Sequence, residues 1–264
     1  MNVPVIRRIV WEMRVRFPLI AVLVTLWGFA LVALFATADD QTRTAGLDGN
    51  IAIAFRLTGL DPLAAWTVIG QTHPILLVAC FLFIIGLGVR AVAGELEAGS
   101  LDLTLTRPIR RSSYLASHLA VLAPGTALLG LAYAVGTLVA DRMFDPPGAA
   151  LQPGRMLLAA GQVWLLFLAV GALTLLVSCL MTERGRALGV AVGIVLAMYV
   201  GNFLFALWEP LRFLTRITLF RYFTPGPTIQ AGDVAWGDSA VLAAFAAVAL
   251  IAAFVVFERR DLAR

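Results

Sequence analysis

Apolar residues along this chain gather in six blocks, at about 17–37, 72–92, 115–140, 156–181, 187–208 and 239–257. Each is long enough to supply the about 20 residues that carry a helix across about 30 Å of hydrocarbon. The first block holds no charge. The second holds only Arg90, near one end, where a long side chain can snorkel to the interface. An even number of crossings puts both termini on one side of the membrane.

Between the blocks the pattern becomes amphipathic in two places. From Val5 to Arg16, Val5, Ile6, Ile9, Val10 and Met13 share one arc of a helical wheel, while Arg7, Arg8, Glu12 and Arg14 lie mostly opposite, with Trp11 among them. This predicts an interfacial helix with its arginines toward anionic headgroups, although a plain positive flank that sets topology fits equally well. The second place is 209–227, where Arg212 and Arg216 fall on one face and Phe213, Leu214, Ile217 and Phe220 on the other. A short helix, or a pair of them, is expected in the outer headgroup layer, with Pro225 and Pro227 ending any helix there. The loops at about 38–71 and 141–155 are too short to be separate domains, so residues 1–264 read as one membrane domain.

Composition agrees with this reading. Of the 264 residues, 61% are hydrophobic and 14% charged, and the mean hydropathy is +0.91; a soluble domain has nearer a half and a quarter. All 20 basic residues are arginine. A chain without lysine has no Walker A phosphate loop and forms no Schiff base, so any nucleotide energy it uses must be bound by another chain. With the N-terminus inside, 13 of the 20 arginines and 7 of the 16 carboxylates fall on the inner side, a formal +6 against −2 outside. The positive-inside rule then makes both termini cytoplasmic. The net charge of +4 reads as a topology signal and not as a nucleic-acid footprint.

Chemistry-bearing residues are sparse. Cys80 and Cys179 each lie in an apolar run and read as buried hydrophobes. His73 and His118 have no Asp, Glu or Cys at metal-ligand spacing, and His73, beside Pro74, reads as interfacial at the outer end of the second span. No nucleophile, base and acid come together at a readable spacing, so the chain is not expected to be an enzyme or to bind a metal or cofactor.

One polar segment is more informative. Between the second and third blocks, Gly94 and Gly99 can bend or break an emerging helix, Pro108 stops a short helix running from about Ser100 to Thr106, and Leu101 and Leu105 stand one turn apart in it. Ser112 and Ser113 offer an N-cap for the third span. Glu95 can pair with Arg90, pair with a partner, or remain solvated. A short, partly apolar helix held between two spans suits a groove on a cytoplasmic partner.

The run Gly94-Glu95, Gly99-Ser100-Leu101-Asp102-Leu103, Leu105, Arg107-Pro108 and Arg110-Arg111 resembles the "GE-x-x-x-GTLDLLL-x-RP-x-x-R" signature of ABC-2-type permeases. Ser100 stands where Thr is commoner and Thr104 where Leu is commoner. The interfacial N-terminal helix, the six spans and the outer hairpin before the last span are also similar to that family. The resemblance implies an all-α polytopic membrane protein with a cytoplasmic coupling helix between spans two and three. It implies a half-transporter in the bacterial cytoplasmic membrane, paired with a second permease subunit, as a homodimer or a heterodimer. Two cytoplasmic ABC ATPase subunits would bind ATP and Mg, and membrane lipids would surround the pair. By this resemblance Glu95, Glu97, Gly99, Ser100, Leu101, Asp102, Leu105, Arg107 and Pro108 contact or transmit from the ATPase, while Tyr199, Asn202 and Phe205 are candidates for the dimer seam or pathway. The implied function is outward transport of an amphipathic or lipid-like substrate, such as a drug, antibiotic or lipid. The alternative is a mechanotransmission or assembly scaffold, as in metalloenzyme maturation, that passes no substrate itself.

Overall fold

A computed structural model describes residues 2–44, 57, 59–99 and 110–260. Among the described residues, six helices are long and apolar enough to cross a membrane: Arg16–Thr37, Pro62–Glu97, Arg111–Phe144, Pro153–Leu180, Arg184–Leu207 and Trp236–Arg259. Both ends of the described chain sit on one side of the bundle, here the terminal side. There the Asn2 N–H donates to Ser117 Oγ at 2.7 Å and Arg111 donates to the Arg260 carbonyl at 2.5 Å. Five spans match the expected blocks: the first, third and sixth contain theirs, and the fourth and fifth start three residues early and end one residue short.

The second span differs from expectation. It does not begin near residue 72; it starts at Pro62 and is broken into Pro62–Thr72 and Pro74–Val89, with His73 between them at φ −62, ψ 132. Pro74 has no N–H to continue the helix and disfavours the helical conformation for the residue before it, so the break falls at His73. Trp66 stacks on Phe35 near the end of the first span, with ring centroids 5.9 Å apart, whereas Trp27 in the middle of that span donates its indole N–H to the Gly70 carbonyl at 3.1 Å. His73, 5.0 Å from the Trp27 ring, is therefore level with the middle of the first span and not interfacial.

The fourth span is the axis of the packing. Within its most apolar stretch 72% of residues are buried, against 22% in the first span and 17% in the fifth. It touches the sixth, third, second and fifth spans. The first and third spans pack closely at Gly136, where a Cβ would meet the Thr25 carbonyl oxygen at 2.0 Å. Only glycine allows that approach.

The N-terminal helix spans Val3–Met13 and is capped by Asn2, whose Oδ1 accepts from the Val5 N–H. Ile9 and Met13 are buried against Val121 of the third span. Of the expected apolar arc, Ile9 and Met13 are buried and Val10 is 52% exposed, and Arg14 lies 3.6 Å over the Trp11 ring. The third span starts at Arg111, and its N-cap, Arg110, makes no side-chain cap bond. Ser112 and Ser113 thus lie inside the first turn and are not the cap. Arg111 instead reaches the carbonyls of Phe257, Glu258 and Arg260 at the end of the sixth span, which fixes the start earlier.

On the far side, the segment after the fifth span forms two 3-10 turns, Glu209–Ile217 and Leu219–Tyr222, then a helix Pro225–Ala231. The turns end at Tyr222, before Pro225, and Pro225 then begins the next helix, where at the first helical position its missing N–H costs nothing. Gln230 in this helix ties back to the residues before the second span, accepting from the Asp61 N–H at 3.0 Å and donating to the Gly59 carbonyl at 3.3 Å.

Candidate functional site at the terminal end of the second span

Helical hydrogen bonding changes register where the second span leaves the apolar core. Residues Arg90–Gly94 form a π turn, and Ala91, Val92 and Ala93 within it are buried. Such a turn frees backbone groups, and buried ones need partners. Ser178 of the fourth span supplies them from one hydroxyl. Its Oγ accepts from the Val92 and Ala93 N–H groups at 3.1 and 3.0 Å and donates to the Val89 carbonyl at 2.9 Å. Tyr114 of the third span donates to the Ala91 carbonyl at 2.7 Å.

The charges that follow are paired across elements. The Glu95 side chain is 9% exposed and bound by Arg8 of the N-terminal helix. Arg8 also meets Glu12 at 3.3 Å, and Glu12 holds Arg90 at 2.9 Å. Of the partners open to Glu95, the structure thus supplies Arg8, and Arg90 turns to Glu12. Arg8 and Glu12, one turn apart on one face of the N-terminal helix, are both engaged in this lattice, so Arg8 is turned to Glu95. Burial disfavours the Arg8 charge, but the hydrogen bond and charge of Glu95, with Glu12, outweigh it and hold the guanidinium pKa above its ordinary value.

Glu97 accepts the N–H of Arg184, the first residue of the fifth span, at 2.5 Å. A carboxylate at a helix N-terminus satisfies a free donor and meets the positive end of the dipole. Gly99 follows in the left-handed region, φ +66, and its N–H closes on the Leu96 carbonyl at 3.0 Å. That conformation is costly for any residue with a Cβ. Ser100, Leu101, Asp102, Leu105, Arg107 and Pro108 lie outside the described residues. Their neighbours are nevertheless fixed: Gly99 by the turn, and Arg111 by the sixth span. The Arg260 side chain extends that anchoring, donating to the carbonyls of Cys179 and Met181 at 2.6 and 3.0 Å.

The three far-half candidates do not form one cluster. Tyr199 donates to the Thr72 carbonyl at 3.1 Å, at the break in the second span. Asn202 accepts from the Thr218 hydroxyl at 2.9 Å, a bond within its own chain. Phe205 lies one turn on, its ring over Gly201.

Sequence reasoning missed the break as a site. The half-helix Pro62–Thr72 ends in mid-bundle, where its carbonyls need donors. Two spans provide them, Trp27 to Gly70 at 3.1 Å and Tyr199 to Thr72 at 3.1 Å, and Tyr133 of a third span donates to the Thr67 carbonyl higher in the same half-helix at 2.8 Å. The only sequence signal was His73-Pro74 inside an apolar stretch that began too late.

These features define a multi-pass α-helical membrane protein whose polar contacts converge on one end of a broken second span. The family described as ABC-2 family transporter protein matches residues 6–262, and the chain belongs to that family. It is therefore the membrane component of an ABC transporter, a context that brings an ATPase partner. Comparison with curated proteins finds no match.

Proposed function

We propose that this chain is the permease subunit of an ABC exporter. Two copies pair in the bacterial cytoplasmic membrane with termini inside, and each rests on a cytoplasmic ATPase subunit that binds ATP and Mg. ATP-driven closure of the ATPases displaces the coupling segment 99–107 and shifts the membrane pair between states of different access, moving an amphipathic or lipid-like substrate outward. What supports this reading is the junction at Glu95. The residues just before the coupling segment are bonded to the N-terminal helix through Arg8 and to the fifth span through Glu97, and the turn behind them to the fourth through Ser178. A push there is passed to three elements at once.

The test is co-purification with an ATPase subunit and measurement of its stimulated hydrolysis in lipid. Deletion or charge reversal within 99–107 is expected to abolish stimulation while the six-span fold persists. A stable membrane chain that retains no ATPase, or one whose ATPase is indifferent to that change, overturns the proposal. Stimulated hydrolysis with no substrate moved points instead to a mechanotransmission scaffold.

A further inference from the structure

A cavity of about 310 Å³ lies between the N-terminal helix, the first turn of the first span and the third span. Short side chains make room for it: Pro18 on one wall, and Ala120, Pro124 and Gly125 on the other. Contacts between the walls fix its direction. Asn2 meets Ser117, Ile9 and Met13 are buried against Val121, and a Cβ on Gly125 would stand 3.9 Å from the Phe17 ring. The groove thus runs from the terminal side toward the middle of the bundle. It ends at Leu128, about 10 Å beyond Val121 along the third span. Pro18, Pro124 and Leu128 lie on membrane-spanning helices and are exposed, so the groove opens sideways into the hydrocarbon.

Arg14 is the one charged side chain in this lining. It follows Met13, at the shallow end, and its guanidinium lies 3.6 Å over the exposed ring of Trp11. Among the described residues no carboxylate pairs with it. Tryptophan and arginine are the side chains that mark headgroup level. An apolar groove in hydrocarbon holds a lipid chain no better than the surrounding lipid does, so the groove alone selects nothing. The cation at its mouth selects by charge. It favours a phosphate that carries no cation of its own over one already balanced within a zwitterionic headgroup.

We propose that this groove holds one anionic phospholipid from the leaflet on the terminal side. Its phosphate sits at Arg14, and one acyl chain runs past Gly125 to Leu128. Binding there requires neither an ATPase nor transport.

The experiment uses the full chain purified in a neutral detergent. Dioleoylphosphatidylglycerol and dioleoylphosphatidylcholine, which carry identical chains, are titrated with native mass spectrometry as the readout. The anionic lipid is expected to fill one site per chain about fivefold more tightly than the zwitterionic one. Arg14→Gln should weaken the anionic lipid about fivefold and erase the preference, whereas Arg14→Lys, which keeps the charge, retains it. Gly125→Leu, whose Cβ meets only ordinary contact while its branch enters the groove, should remove the tight site. Arg142→Gln, in the last turn of the third span, should leave it unchanged. Equal affinity for the two lipids overturns the assignment, as does undiminished binding of the anionic lipid to R14Q or to G125L. Glycerol 3-phosphate binding as tightly as the whole lipid would reduce Arg14 to a simple anion site and overturns it as well.

Discussion

Ser178 shows how much one side chain can hold and how little it announces. Its hydroxyl serves two buried N–H groups and one carbonyl of the π turn, all on a neighbouring span. Ser178→Ala leaves those donors in an apolar interior, and we expect a loss of about 1–3 kcal/mol in SDS-driven unfolding of the full chain. Ser178→Cys, a weaker acceptor of similar size, should fall between. In the sequence this residue was one small polar group in an apolar block, because its partners are backbone atoms exposed only by the change of register. Glu95 was more legible, since a carboxylate beside an apolar block demands an explanation. Its partner was not, because Arg8 is 87 residues away. A double-mutant cycle on Arg8→Gln and Glu95→Gln should give a coupling of roughly 1 kcal/mol, kept small because the Arg8 side chain is 45% exposed. No coupling would mean that the two residues do not share a bond in the membrane.

At the scale of elements, hydropathy found five spans almost whole and only part of the second. The part it lost, Pro62–Thr72, carries Thr67, Gln71 and Thr72, and this dilutes an apolar window. Its burial depends on donors from three other spans, which no local pattern records. The N-terminal helix was legible as amphipathic, but the wheel gave its orientation only approximately, since Arg8 and Glu12 are drawn inward by charges on the second span. Packing is most exacting where the first and third spans meet. Gly136→Ala places a Cβ 2.0 Å from the Thr25 oxygen, and backbone cannot yield cheaply. A loss of about 1–3 kcal/mol, with lower yield of folded protein, is expected. Gly161→Ala meets nothing within 4 Å and should be neutral or slightly stabilising in the same assay. Equal effects of the two substitutions would contradict the packing described.

For the whole molecule, the sequence made the membrane class and the need for a separate source of nucleotide energy plain, through the apolar excess and the missing lysine. How the halves of the protein are joined was not legible, because the joints are made by side chains distant in sequence. The first and fifth spans are the least buried, and they present Leu26 and Leu196, 58% and 51% exposed. In a background with Cys80→Ser and Cys179→Ser, Leu26→Cys is expected to give an oxidant-dependent dimer in membranes, if the pair proposed above meets on this face. The same substitution at Leu158, 44% exposed on the fourth span, should give far less. The break at His73 adds a mechanical consequence. Its first half is hydrogen-bonded to three other spans, and the 16 residues of Pro74–Val89 run about 24 Å from the break to the π turn. An arm of that length turned through about 10° sweeps its tip by about 4 Å. If force is applied at Glu95 as proposed above, a rotation of this arm would be felt at the break, where Tyr199 holds the last carbonyl of the first half.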